Sequence, residues 1–182
     1  MIVKPKPLSF RTYWEMVKSK KTLLRLMEDQ RISKIKFSGV VLDVGGGGFD
    51  YLNVIRKTNE CRIDSVNISP EVQPTFVSDL NKSLQFESES YDNVICFNTI
   101  EHIFRDIGLL CEILRVLKSG GRFVITAPYL FPRHGKYSDF HRHTAEFWET
   151  LLVEQGLNSN DFVVEPLVVN PLSSALATLP WF

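Results

Sequence analysis

Four consecutive glycines, Gly45–Gly48, close the apolar run Val40-Val-Leu-Asp-Val44, and no other segment limits the fold so strongly. A short aliphatic, β-branched run of this kind reads as a strand buried on both faces, as in a parallel sheet. Glycines behind it admit positive φ and let a ligand approach the backbone directly. In open parallel sheets ligands sit outside the carboxyl ends of the strands, where strand order reverses, so this turn is the place to look for a site. The chain beyond it agrees. Short apolar runs alternate with helical patterns from residue 37 onward, the signature of an α/β sheet. Arg62–Ile68, Thr75–Val77, Asn93–Phe97 and Arg122–Thr126 read as further strands. A helix is expected between the last two, capped by Asp106, striped by Ile107, Leu110, Cys111, Leu114 and Leu117, and ended by Gly120-Gly121. Another starts near Thr144 and runs through Phe147, Leu151 and Leu152 to Gly156. Phe162–Val169 is expected as a last strand, with Pro166 assigning it to an edge or a bulge.

The loop sequence Asp43-Val-Gly-Gly-Gly-Gly-Phe-Asp50 separates the competing ligands. A phosphate-binding Walker loop needs Gly-Lys-Ser/Thr after its last glycine, which this chain lacks. A dinucleotide loop needs G-x-G-x-x-G, but the third glycine position falls on Asp50 or Tyr51. Charge is more telling. Asp43 before the loop and Asp50 after it are poor company for a pyrophosphate and suit a ligand that carries an ammonium group.

Motifs of a known family follow in order. Val41-Leu-Asp-Val-Gly-Gly-Gly-Gly resembles motif I of class I S-adenosylmethionine-dependent methyltransferases. Val66-Asn-Ile-Ser-Pro-Glu71 resembles the end of their second strand, and Val77-Ser-Asp-Leu80 their adenine-contacting turn. Tyr91–His102 resembles the fourth strand with its Glu-His signature. Arg115-Val-Leu-Lys-Ser-Gly-Gly-Arg-Phe-Val-Ile-Thr-Ala-Pro128 resembles the R-V-L-K-P-G-G turn of the type-11 methyltransferase group, with Ser119 replacing the proline. The resemblance spans roughly residues 38–157 and implies a Rossmann-like α/β fold, a mostly parallel sheet of six or seven strands flanked by helices. It implies S-adenosylmethionine as cofactor. Asp43 and the backbone of Gly45, Gly46 and Gly47 would hold the methionine end, helped by the backbone near Phe97 and Asn98. Asn67 would meet the ribose, Ile68 would pack on adenine, and Asp79, beside Leu80, would accept from its amino group. Two positions depart from the pattern. Phe49 occupies the third glycine position, and Asn67 stands where the family has an acid that grips both ribose hydroxyls. With Asn67 in the place of that acid, Asn67→Asp is expected to tighten cofactor binding.

All four histidines fall between residues 102 and 143. His134-Gly-Lys-Tyr-Ser-Asp-Phe-His-Arg-His-Thr144 resembles the H-G-x-x-x-D-x-x-R-x-T stretch that follows strand five in this group, which makes His134 and His102 the candidates for proton transfer. His141 and His143 form an H-x-H pair with no third ligand at convincing spacing, so no metal is expected. Three functions stay in play: a methyltransferase acting on a small molecule, with a sugar or lipid precursor suggested by analogy; a non-catalytic methyltransferase-like binding subunit; and another enzyme on this fold, such as an aminopropyl transferase. The expected domains are a basic helical cap over residues 1–36 and a methyltransferase domain over 37–182. Residues 1–40 carry ten lysines and arginines against three acids, and the remainder eleven against eighteen. One short basic segment is too little for nucleic acid. Phe10, Trp14 and Val17 are expected on one helical face, continued by Leu23, Leu24 and Met27. No apolar run reaches the length of a membrane span. The N-terminus lacks a signal core and the three cysteines suit free thiols, so a cytoplasmic location is expected. The apolar tail Asn170–Phe182 must be covered, by its own domain, by a homodimer contact or by a membrane-facing edge.

Overall fold

The computed structural model describes residues 9–19, 21–47, 50–133 and 138–167. The expectations for Gly48, Phe49, His134 and the tail from Val168 to Phe182 lie outside the described residues. The chain forms two compact units, one built from residues 32–128 and 138–141, the other from 9–31, 129–133 and 142–167 among those described.

The first unit is an α/β sheet. Its strands are β1 (Lys36–Phe37), β2 (Val40–Val44), β3 (Arg56–Lys57), β4 (Arg62–Asn67), β5 (Phe76–Val77), β6 (Tyr91–Phe97) and β7 (Leu117–Thr126). Five of them pair in the order β5-β4-β2-β6-β7, every neighbour parallel, while β1 and β3 form a separate parallel pair. Strand order runs outward from β2 through β4 to β5, then returns to β6 on the other side. The reversal therefore lies between β2 and β6, whose pairing sets Val41 opposite Asn93 and Asp43 opposite Ile95. Val41, Ile95 and Phe97 pack with Ile32, Phe37, Tyr51 and Ile55 in one apolar cluster. Asp92 ties three strands together: its carboxylate accepts from the Val40 amide at 2.8 Å and from Lys118 Nζ at 2.7 Å. Those bonds, Lys118's first, hold its carboxyl below the usual range.

The expected helix between β6 and β7 forms as α3 (Asp106–Val116), but two of its details differ. Asp106 is its first residue rather than its cap: the cap position is Arg105, and Asp106 Oδ1 accepts from the Ile107 amide at 2.8 Å. The helix ends at Val116, before the glycine pair, because Leu117 turns extended and β7 begins there; Gly120 then takes a φ of +73° inside the strand region. The buried face is Leu109, Leu110, Ile113 and Val116, while Ile107 and Cys111 are exposed. In a helix this apolar, two stripes compete, and packing selects the one facing the sheet.

The second unit holds α1 (Phe10–Ser19), α2 (Leu23–Ile32) and α4 (Ala145–Glu154). The expected continuous face divides. Leu23 and Met27 are buried with Leu26 and Leu167, whereas Phe10 and Trp14 are 81% and 52% exposed. Thr144 caps α4 by accepting from the Phe147 amide at 3.2 Å. Through Leu167 the expected last strand is absent, with one bridge residue at Val164. Pro166 has no N–H to give a ladder, and Glu165 turns to Arg31 Nε at 2.7 Å. No described helix is long and apolar enough to cross a membrane.

The choice of face on α3 has a measurable consequence. Ile113→Ala is expected to cost about 3 kcal/mol in chemical denaturation, by lost burial and a residual cavity. Ile107→Ala is expected to stay within about 0.5 kcal/mol. Equal losses would restore the stripe read from spacing.

Candidate functional site

Beyond β2 the backbone must turn at once, and it does so with φ of +82° at Gly45 and +122° at Gly47, where side chains are strained. Space is equally restrictive. A Cβ on Gly45 would overlap the Thr99 side chain, one on Gly46 the Asp43 carboxylate, and one on Gly47 Val72. The loop thus lies tight against the carboxyl ends of β2, β4 and β6, within one unit of the fold. The Gly45 amide is held by the Val66 carbonyl at 2.8 Å.

Asp43 lies under this loop and is fully buried. The Tyr51 hydroxyl, from the short 3-10 turn Asp50–Asn53, sits 2.9 and 2.7 Å from its two oxygens and donates to them. Tyr51 is itself fixed by an edge-on contact with Phe97, ring centroids 5.2 Å apart. Burial pushes the Asp43 carboxyl up to about 7, with the Tyr51 hydrogen bond working in the opposite direction. The Cys96 thiol, also buried, is raised by burial first and then by the Glu101 and Asp43 carboxylates. Tyr51 was not among the residues expected from sequence. It stands eight positions past Asp43 across a glycine run, and no periodicity links the two.

At the end of β4, Asn67 turns its side chain toward the loop. Its Nδ2 donates to the Gly45 carbonyl at 2.8 Å and the Gly46 carbonyl at 3.1 Å, and its Oδ1 accepts from the Ser69 amide at 3.0 Å. Ile68, next in the chain, is 55% exposed. Asp79 follows β5, which pairs with β4 through Asn67 and Val77. The Asn81 backbone amide and then its side chain bond Asp79 Oδ1 at 3.0 and 3.2 Å and hold the carboxyl below the usual range, so it stays ionised. Leu80 beside it is buried. At the end of β6, Phe97 is buried and Asn98 takes a left-handed φ of +47°, its amide held by the Thr126 carbonyl at 2.9 Å.

His102 closes a 3-10 turn, Ile100–His102. Its Nδ1 lies 2.8 Å from the Ser138 carbonyl, which can only accept, so Nδ1 carries the hydrogen. Its Nε2 faces the buried Glu101 carboxylate at 3.7 Å. The Glu101 carbonyl in turn accepts from the Phe140 and His141 amides at 2.8 and 3.3 Å. The turn after β6 therefore holds segment 138–141 by several bonds, and both His102 nitrogens face protein groups. His134 lies outside the described residues.

The site residues fit an S-adenosylmethionine-like ligand in chemistry. The loop leaves room for backbone contact alone, Asp43 offers a buried carboxyl beneath it, Ile68 after β4 presents an exposed apolar face, and Asp79 after β5 is an ionised acceptor. Comparison with known proteins agrees. Residues 42–125 match the family model of a methyltransferase domain. No curated protein matches the chain in sequence. Among solved structures the chain is similar to a methyltransferase in complex with the Haloferax volcanii Trm112 methyltransferase activator, at 22% identity over 81% of this chain and 73% of that one, TM-score 0.59. It is similar to phosphoethanolamine N-methyltransferase 2 of Haemonchus contortus in complex with S-adenosyl-L-methionine, at 21% identity over 71% of this chain and 36% of that one, TM-score 0.55. A third is an S-adenosylmethionine-dependent methyltransferase from Aquifex aeolicus, at 15% identity over 82% of this chain and 90% of that one, TM-score 0.54. The fold is that of the class I methyltransferases.

Asp43 makes the protein's stability depend on pH. Burial raises its carboxyl to about 7 in the folded chain, against about 3.9 for a free aspartate. Between those values the unfolded chain has lost the proton that the folded chain keeps, so stability falls as pH rises, by about 4 kcal/mol in full. Asp43→Asn keeps an oxygen for Tyr51 and removes this loss. The variant is expected to be more stable than wild type at about pH 8, with the gap closing as pH falls toward about 4. A gap that does not change with pH would show that Asp43 ionises without cost.

Proposed function

We propose that this chain, a class I methyltransferase fold, is an S-adenosylmethionine-dependent methyltransferase acting on a small-molecule acceptor. The observation that carries the reading is the glycine loop at the strand-order reversal, packed so that only backbone is presented, with a buried carboxylate directly beneath it. When bound, the cofactor would supply an electrophilic methyl on a sulfonium: the acceptor's lone pair would bond to that carbon, and the S–C pair would leave with sulfur as a neutral thioether. The chain's own work is then positioning and the exclusion of water. Asp43, through the loop, gives the ammonium end a counter-charge. The backbone near Phe97 and Asn98 lines the same end. Ile68 and Leu80 flank the adenine, and Asp79 accepts from its amino group. His134 is the proposed proton acceptor for an acceptor hydroxyl. His102 holds segment 138–141 in place through Ser138 and contributes position rather than proton transfer. The phosphoethanolamine N-methyltransferase among the similar structures supports a small acceptor on this fold.

A second reading is a methyltransferase-like binding subunit, favoured by the orientation of His102 toward protein groups and by the activator complex among the similar structures.

Calorimetric titration with S-adenosylhomocysteine, the demethylated cofactor, tests the first step. Wild type is expected to bind in the micromolar to sub-millimolar range, and Asp43→Asn at least roughly tenfold more weakly, a loss of about 1.4 kcal/mol. Because Asp43→Asn is expected to be the more stable protein, weaker binding there cannot be laid to unfolding. Equal heats for the two proteins would remove Asp43 from the site, and no heat with wild type would remove the cofactor reading. Incubation with S-adenosylmethionine and small-molecule extracts, read by mass spectrometry, then separates the two functions: binding without a methylated product selects the binding subunit.

A further inference from the structure

We infer that Asn67 is a positioning residue that sets the shape of the glycine loop, and that an amide is required there for that reason. The side chain spans from β4 to the loop beyond β2. Its two Nδ2 hydrogens are used on two successive loop carbonyls, Gly45 at 2.8 Å and Gly46 at 3.1 Å. Its Oδ1 is itself aimed by the Ser69 amide at 3.0 Å, which fixes which end of the amide faces the loop.

A trans peptide is planar, with its C=O and the following N–H pointing in opposite directions. Capturing the Gly45 and Gly46 carbonyls therefore turns the N–H groups of Gly46 and Gly47 away from Asn67. The glycines have no side chains to hold those two peptide planes, and two of the three stand at positive φ. Asn67 supplies the constraint that the loop lacks. A carboxylate has four acceptor sites and no donor. Placed at position 67, it would set its oxygens against two carbonyl oxygens, and the loop would move away. The carbonyl oxygen of Asn67 keeps a second lone pair, enough for one ribose hydroxyl. The departure from the family acid is thus matched by the local geometry, and Asn67→Asp is expected to harm the site rather than improve it.

The binding arm of the test rests on the cofactor reading above; the other arm does not. In ligand-free protein, hydrogen exchange of the peptide covering Asp43–Tyr51 is compared among wild type, Asn67→Asp and Asn67→Ala. Exchange is expected to be several-fold faster in both variants, with the peptide covering β6 unchanged. Unchanged loop exchange in both variants would overturn the inference whether or not any cofactor binds. Titration with S-adenosylhomocysteine is expected to show Asn67→Asp binding roughly tenfold or more weakly than wild type. Binding by Asn67→Asp as tight as wild type, or tighter, would overturn the positioning role and return the residue to simple ribose contact. Wild type that binds no S-adenosylhomocysteine while its variants show faster loop exchange would leave the brace standing and remove the cofactor reading.

Discussion

Every feature of the site depends on β2 being hydrogen-bonded on both edges. Val40–Val44 runs in register with β4 on one side and β6 on the other, all parallel. The path of the chain leaves β2 outward and must return across it, so the loops after β2, β4 and β6 open at the same end of the sheet. The register decides what meets what. Pairing Val44 with Val66 brings Asn67 level with Gly45. Asp92 holds this arrangement from the opposite end of the strand, through the Val40 amide and Lys118. A slip of one residue would turn Asp43 to the opposite face of the sheet, away from Tyr51, and leave Asn67 without its two carbonyls.

Much of this was legible in the sequence because the signals were local. The run Val40–Val44 followed by glycines identifies β2 and its turn, and the strands β4, β5 and β6 lie close to where their apolar runs place them. Thr144 caps α4 as its spacing implies. What spacing could not resolve was a choice between equivalent patterns. Six of the eleven residues of α3 are isoleucine, leucine or valine, so the buried stripe is decided by the sheet and not by the helix. The glycine pair Gly120-Gly121 reads as a helix stop, yet the chain turns extended at Leu117 and carries the glycines into the start of β7. Through Leu167 the last strand does not form, and Pro166 has no N–H to give a ladder.

Within the site, residue types were readable and their partners were not. Asp43 is singled out by its place before the glycines, but that a phenol eight residues on would hold both its oxygens depends on how a 3-10 turn returns to the strand. Asn67 stands out as an amide in an acid's position. Only the structure brings its Nδ2 to the loop. The Arg115-Val-Leu-Lys motif proves to be architectural: Arg115 bonds Glu112 and the carbonyls of Leu84 and Phe86, fixing the segment before β6.

The buried Asp43 also joins ligand binding to proton traffic. With its carboxyl near 7, an appreciable share of the protein carries this proton at neutral pH. On the proposed reading, a cation over the loop would favour the ionised form and drive the proton into the buffer. Charge neutralisation and proton release then become one event, and the apparent heat of binding includes the heat with which the buffer takes up that proton. Affinity would acquire a pH slope through Asp43, even for a ligand whose own charge never changes.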